Sequence, residues 1–191
     1  MRIGETLYVK NRASWRSWLA KNRSKASEIW LVYYRKSSGR PRIAYNAAVE
    51  EALCFGWIDS TVKKVDAESF AQRFSPRRPG SVLSQMNRER IHRLVAAGRM
   101  TRAGLAAVAH AYRKGEDKRK SFKMPSDILA AIKKNPAAWM NFRKLPAAYV
   151  RIRISYINDR RGPESSAAFK GSLENFIRKT AEGKRFGLVR D

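Results

Sequence analysis

From Glu28 to Arg35 the chain reads Glu-Ile-Trp-Leu-Val-Tyr-Tyr-Arg, and no alternation sorts its apolar side chains onto one face. Aromatic and β-branched residues on both sides of an extended backbone need cover on both sides, so the segment predicts a central strand rather than an edge. A sheet with helices packed on it follows. Further strand patterns run from Trp57 to Val65 and from Ser69 to Ser75, where Phe70, Gln72 and Phe74 alternate with Ala71, Arg73 and Ser75. A helix opening at Asn11 sets Trp15, Trp18 and Leu19 on one face. A second helix runs from a cap at Asn46 to Gly56, which takes the left-handed conformation that ends it.

Beyond Pro76 the apolar spacing becomes helical. Ile91, Leu94 and Val95 form one stripe closing at Gly98, and Leu105, Val108, Ala109 and Tyr112 form another that starts near Thr101. Residues 113–124 begin with a charged, aperiodic run and predict a linker. Short helices punctuated by Pro125, Pro136 and Pro146 come next, then Tyr149, Ile152, Tyr156 and Ile157 on one face. Phe169, Leu173, Phe176 and Ile177 align in a last helix ending near Gly183. The expected class is α+β: a small, mostly antiparallel sheet with packed helices in the N-terminal half, and an all-helical C-terminal half. The boundaries read as an α+β domain over 1–112, the linker over 113–124 and a helical region over 125–191.

Lys and Arg number 41 against 16 Asp and Glu, for a formal charge of +25. The excess is +6 over residues 1–60, +11 over 61–124 and +8 over 125–191, so it decorates patterned segments rather than a tail. A polyanion contact or plain solubility both account for such a surface. One cysteine excludes a disulfide framework, and two distant histidines suggest no metal centre and no cofactor. Apolar runs fall far short of the ~20 residues that span a bilayer, and no secretory signal is visible. A soluble, cytoplasmic protein without a membrane span is expected.

No residue set dictates catalysis. Cys54 lies near a helix C-terminus between Leu53 and Phe55, a setting that disfavours a thiolate and predicts an inert, packed thiol. His92 and His110 lack a triad spacing. Glu50 and Glu51 diverge on their helix and read as solvated. Asp59 shares a strand face with Trp57, which suits either a pocket lining or a strand aspartate paired with an arginine. The segment from Arg73 to Asn87 gathers Arg73, Arg77 and Arg78 with Ser81, Ser84 and Asn87 on a loop stiffened by Pro76 and Pro79, ahead of a helix. Guanidinium forks and helix-start amides bind anions, while arginines tied to Asp59, Asp66 or Glu89 would use the same letters. Aromatics among basic residues can stack on unpaired bases, yet Trp30, Trp57 and Trp139 sit in apolar stretches that suit a core.

Ala52-Leu-Cys-Phe-Gly-Trp-Ile-Asp59, Phe74-Ser-Pro-Arg-Arg78, Ser84, Asn87, Gly98-Arg-Met100 and Ala103-Gly104 together resemble the YdeI/OmpD-associated family. The likeness covers roughly residues 8–112, and Asn135-Pro136 with Leu145-Pro146-Ala-Ala-Tyr149 is similar to the family's helical end. It implies a bacterial cytoplasmic protein without agreed catalytic residues, linked to stress and to tolerance of bacteriocins or cationic antimicrobial peptides. The expected function is a non-enzymatic stress-tolerance protein that holds an anionic partner, a nucleic acid or other polyanion, on the basic loop. A protein partner is the other expectation, and the oligomeric state stays open. The rival reading is a small-molecule enzyme or sensor with a pocket of Trp57, Asp59 and Arg77.

Overall fold

The computed structural model describes residues 2–112 and 122–187. The chain divides into two compact units, Met1–Leu83 with Arg90–Lys114, and Ser84–Glu89 with Gly115–Asp191. Most of the predicted linker, residues 113–121, lies outside the described residues.

In the first unit, β1 (Thr6–Tyr8), β2 (Ile29–Tyr34), β3 (Trp57–Lys64) and β4 (Ser69–Pro76) form a sheet of order β1-β2-β4-β3. Only β1 and β2 run parallel; the other pairs are antiparallel. β2 is an inner strand, as its two-sided apolar pattern predicts, whereas the three-residue β1 has no alternation from which it could be read. One face of the sheet carries Ile29, Leu31, Phe74 and Trp57 against helices α1 (Arg12–Asn22) and α2 (Tyr45–Cys54). Asn11 caps α1 by accepting the Ser14 N–H at 2.9 Å, satisfying one of the donors a helix start leaves open. Trp15 and Leu19 are fully buried, and the Trp15 indole donates to the Ala48 carbonyl at 3.0 Å, joining α1 to α2.

Two sequence expectations change here. Asn46 does not cap α2, which starts after Ala44 without a side-chain cap; its Oδ1 instead accepts from Arg90 Nη2 at 2.7 Å. Leu105 is exposed, because α4 (Arg102–Val108) turns Gly104 and Val108 inward. α3 (Gln85–Ala96) does bury Ile91 and Leu94, and Gly98 follows at φ +64°.

α4 docks end-on to α2. Thr101 N–H and Oγ1–H both donate to the Cys54 carbonyl, at 3.0 and 2.7 Å, while Thr101 Oγ1 accepts the Gly104 N–H at 3.1 Å. The amide end of one helix therefore meets the carbonyl end of the other, satisfying groups on both.

The second unit packs α5 (Ser126–Lys133), α6 (Pro136–Phe142), α7 (Ala147–Asn158) and α8 (Ser166–Ala181) around Ile128, Ile132, Tyr149, Ile154, Ile157 and Phe176. Pro136 opens α6 behind Asn135, which accepts the Ala138 N–H at 3.0 Å, and Gly183 stops α8 at φ +68°. Tyr156 is outside this core. Ile154 takes the inward position, and the Tyr156 ring lies under the guanidinium groups of Arg153 and Arg160, 5.0 and 3.6 Å from its centroid.

Candidate functional site

The basic loop leaves β4 at Pro76 and is pinned at once, since Arg77 N–H donates to the Gly56 carbonyl at 2.9 Å. Gly80 then turns it at φ +72°, a conformation only glycine adopts freely. Its arginines part ways. Arg73 is spent internally, donating to Glu28 at 2.7 Å, and the Glu28 carboxyl is held below its ordinary range by that bond and one from Trp30. Arg78 is exposed and makes no described side-chain contact.

Arg77 lies between these cases. Its Nη2 donates to the Ser81 and Val82 carbonyls at 3.0 and 2.6 Å, yet its Nε–H is buried without a hydrogen-bond partner. No described carboxylate pairs with it, and burial alone lowers its pKa. Ser81 Oγ closes the turn by donating to the Arg78 carbonyl at 2.7 Å, and His110 Nε2 lies 2.9 Å from the Ser81 carbonyl. Ser84 and Asn87 belong to the second unit, where Ser84 Oγ accepts the Asn87 N–H at 3.3 Å as a helix cap.

No described side-chain bond joins Trp57, Asp59 and Arg77. Trp57 is 1% exposed, with its ring edge-on to Trp18 and its indole donating to the Arg23 carbonyl at 3.3 Å. Asp59 instead anchors a polar cluster at a β-bulge, where the pairing of β3 with β4 shifts between Asp59 and Val62. Tyr45 O–H and Gln72 Nε2 both donate to Asp59 Oδ2 at 2.8 Å. Burial and the neighbouring Asp59 charge push the Tyr45 phenol up to about 12. Tyr33 is 2% exposed, its hydroxyl has no partner, and burial together with Asp59 raises its pKa further. Arg90, also buried, feels the charge of Asp59 and has its pKa lowered by burial.

A third cluster corrects the reading of Glu50 and Glu51 as solvated. Glu51 has no exposed side-chain surface and receives Arg12, Arg16 and Arg99; Glu50 receives Arg12 and Arg93. Burial raises the Glu51 pKa, but the bonds from Arg12 and Arg16 outweigh it and hold the carboxyl below its ordinary value. Nothing local announces this site, because the arginines stand 35 to 48 residues from Glu51 in sequence. Cys54 is fully buried as expected, with desolvation and the Glu51 charge raising its thiol pKa.

No helix among the described residues is long and apolar enough to cross a membrane. Neither a curated protein nor a solved structure matches the chain. Two family models do. Residues 7–107 match a domain of unknown function, DUF8412, and residues 121–183 match the family described as bacteriocin-protection, YdeI or OmpD-associated. The short motifs from Ala52 to Gly104 thus fall within the first match, and the YdeI/OmpD-associated match lies on the helical end. Since the first match spans more than half of its residues, the chain belongs to the DUF8412 family, with a bacteriocin-protection, YdeI or OmpD-associated domain in its C-terminal part.

Proposed function

We propose that this is a non-enzymatic cytoplasmic binding protein of bacteriocin-protection-type stress tolerance, which captures an anionic partner on the loop around Arg77 and Arg78. The observation that carries this reading is Arg77, a half-buried guanidinium without a described carboxylate and with a buried Nε–H left unbonded. Leaving such a donor unsatisfied costs about 1–3 kcal/mol, a penalty that a phosphate or carboxylate oxygen removes once the loop shifts to uncover the Nε–H. Arg78 stands exposed beside it, and the +25 charge draws anions from a distance.

With a duplex oligonucleotide as the phosphate probe, log affinity falls with log salt by about 0.9 per neutralised phosphate. Arg78→Ala flattens that slope by about one unit and leaves the fold intact, because the side chain holds nothing else in place. An affinity indifferent to salt, or a slope unchanged by Arg78→Ala, refutes the reading.

The unpartnered Tyr33 hydroxyl favours a second reading, a small-molecule site formed by Tyr33, Asp59 and Arg90 without Trp57 or Arg77. Both described bonds to Asp59 fall on Oδ2, so Oδ1 remains to accept from a ligand. In the unliganded protein Tyr33→Phe is neutral or stabilising by up to about 1 kcal/mol, since it deletes an unpaired buried hydroxyl. A thermal-shift screen of nucleotides and acidic metabolites finds a stabilising compound for the wild type that loses its effect on Tyr33→Phe. Marked destabilisation by Tyr33→Phe, with no compound found, excludes this site.

A further inference from the structure

In the second unit three described arginines and two lysines have acidic partners. Arg151 pairs with Glu89, Arg161 with Asp127, and Arg178, Lys179 and Lys184 share Glu182. One surface differs. Lys133 and Lys134 close α5, Arg143 and Lys144 follow α6, all four are exposed, and none has a described ion pair. Between them stands Trp139, only partly buried against the helical core and stacked on Phe142 with centroids 5.9 Å apart and planes inclined 19°. The Lys133 ammonium and the Arg143 guanidinium lie 5.2 and 5.7 Å from the Trp139 ring centroid. Lys133 and Arg143, two like charges beside one indole, repel each other, and an arriving polyanion relieves that repulsion.

We propose that this surface binds single-stranded nucleic acid, with Lys133, Lys134, Arg143 and Lys144 on the phosphates and a base stacked on the Trp139–Arg143 pair. Unpaired bases expose the faces that indole and guanidinium groups accept, and a charged groove with an aromatic platform suits any base sequence. A duplex hides those faces, and the seven-residue α6 is too short to serve as a reading helix. A lipid surface would need more apolar contact than the half-exposed Met140 and the partly buried Trp139 offer. The inference does not rest on the Arg77 loop, which belongs to the other unit.

Tryptophan fluorescence reads the contact directly, because Trp15, Trp30 and Trp57 are at most 1% exposed and Trp18 packs against the first unit's core. Titrating the full chain with a thymidylate oligomer of about 12 nucleotides, within the usual site sizes, quenches the emission. Trp139→Phe abolishes the quenching and weakens binding about tenfold, toward the low end of the range for one lost stacking partner because phenylalanine keeps part of the stacking face. The double variant Lys133→Gln/Arg143→Gln lowers the salt slope by about 1.4. Both residues are exposed, so this pair decides the matter should Trp139→Phe fail to fold. Arg78→Ala retains the quenching. The proposal falls if the oligomer does not bind, if neither variant alters binding, or if duplex or anionic phosphatidylserine vesicles compete equally well.

Discussion

Glu51→Gln lowers the stability of the first unit by about 3–5 kcal/mol, the usual cost of removing one partner from a buried charge cluster. The amide keeps the shape of the side chain but leaves Arg12, Arg16 and Arg99 facing one another without the carboxylate that holds them. Each of those arginines is about a third exposed, so removing any one of them costs less. Urea unfolding of Glu51→Gln beside Arg99→Ala measures the difference. The pH dependence has a definite sign. Because the folded Glu51 carboxyl titrates below its unfolded value, its contribution is complete above the ordinary glutamate range, near pH 4.3, and is lost as pH falls through the folded pKa. Glu51→Gln lacks that acid-side loss, and equal acid sensitivity in both proteins would contradict the assignment.

Gly104→Ala is the second large effect. An added Cβ collides with the Cys54 carbonyl, lying 2.6 Å from its carbon and 2.9 Å from the Leu53 oxygen, and both obstacles are backbone atoms. The end-on docking of α4 on α2 has no flexible side chain to move aside, so the cost is about 4 kcal/mol, near the top of the range for single substitutions. Gly171→Ala in α8 provides the contrast. Nothing lies within 4 Å of its added Cβ, and it stabilises by about 0.5–1 kcal/mol through helix propensity alone. Guanidinium unfolding of the two variants separates close approach from chain entropy. A Gly104→Ala protein of wild-type stability would mean that the two helices are not so close.

The contrast between these sites shows where sequence periodicity carries information. α1 and β4 are legible because Trp15 and Leu19, or Phe70 and Phe74, repeat at the spacing of their own element, and β2 is legible from an apolar run that covers both of its faces. Asp59 was legible as a polar residue on a core-facing strand, but its partners Tyr45 and Gln72 come from other elements and leave no local mark. The Glu51 cluster leaves no mark for the same reason, since adjacent glutamates on a helix look solvated unless the distant arginines are known. The spacing of Tyr156 points inward, yet Arg153 and Arg160 cover its ring outside the core as aliphatic neighbours would inside it. Trp139 packs on the helical core as its apolar neighbours in sequence predict, but only in part, and Lys133 and Arg143, at the far ends of two short helices, share its ring.

The bulge beside Asp59 has a bearing on colloidal behaviour as well. A sheet of this order has two rims, one only three residues long at β1 and the other broken at β3, where Lys64 also stands exposed. Short, kinked and charged borders are poor templates for joining strand to strand, so this sheet resists growing into a fibril even where molecules crowd together.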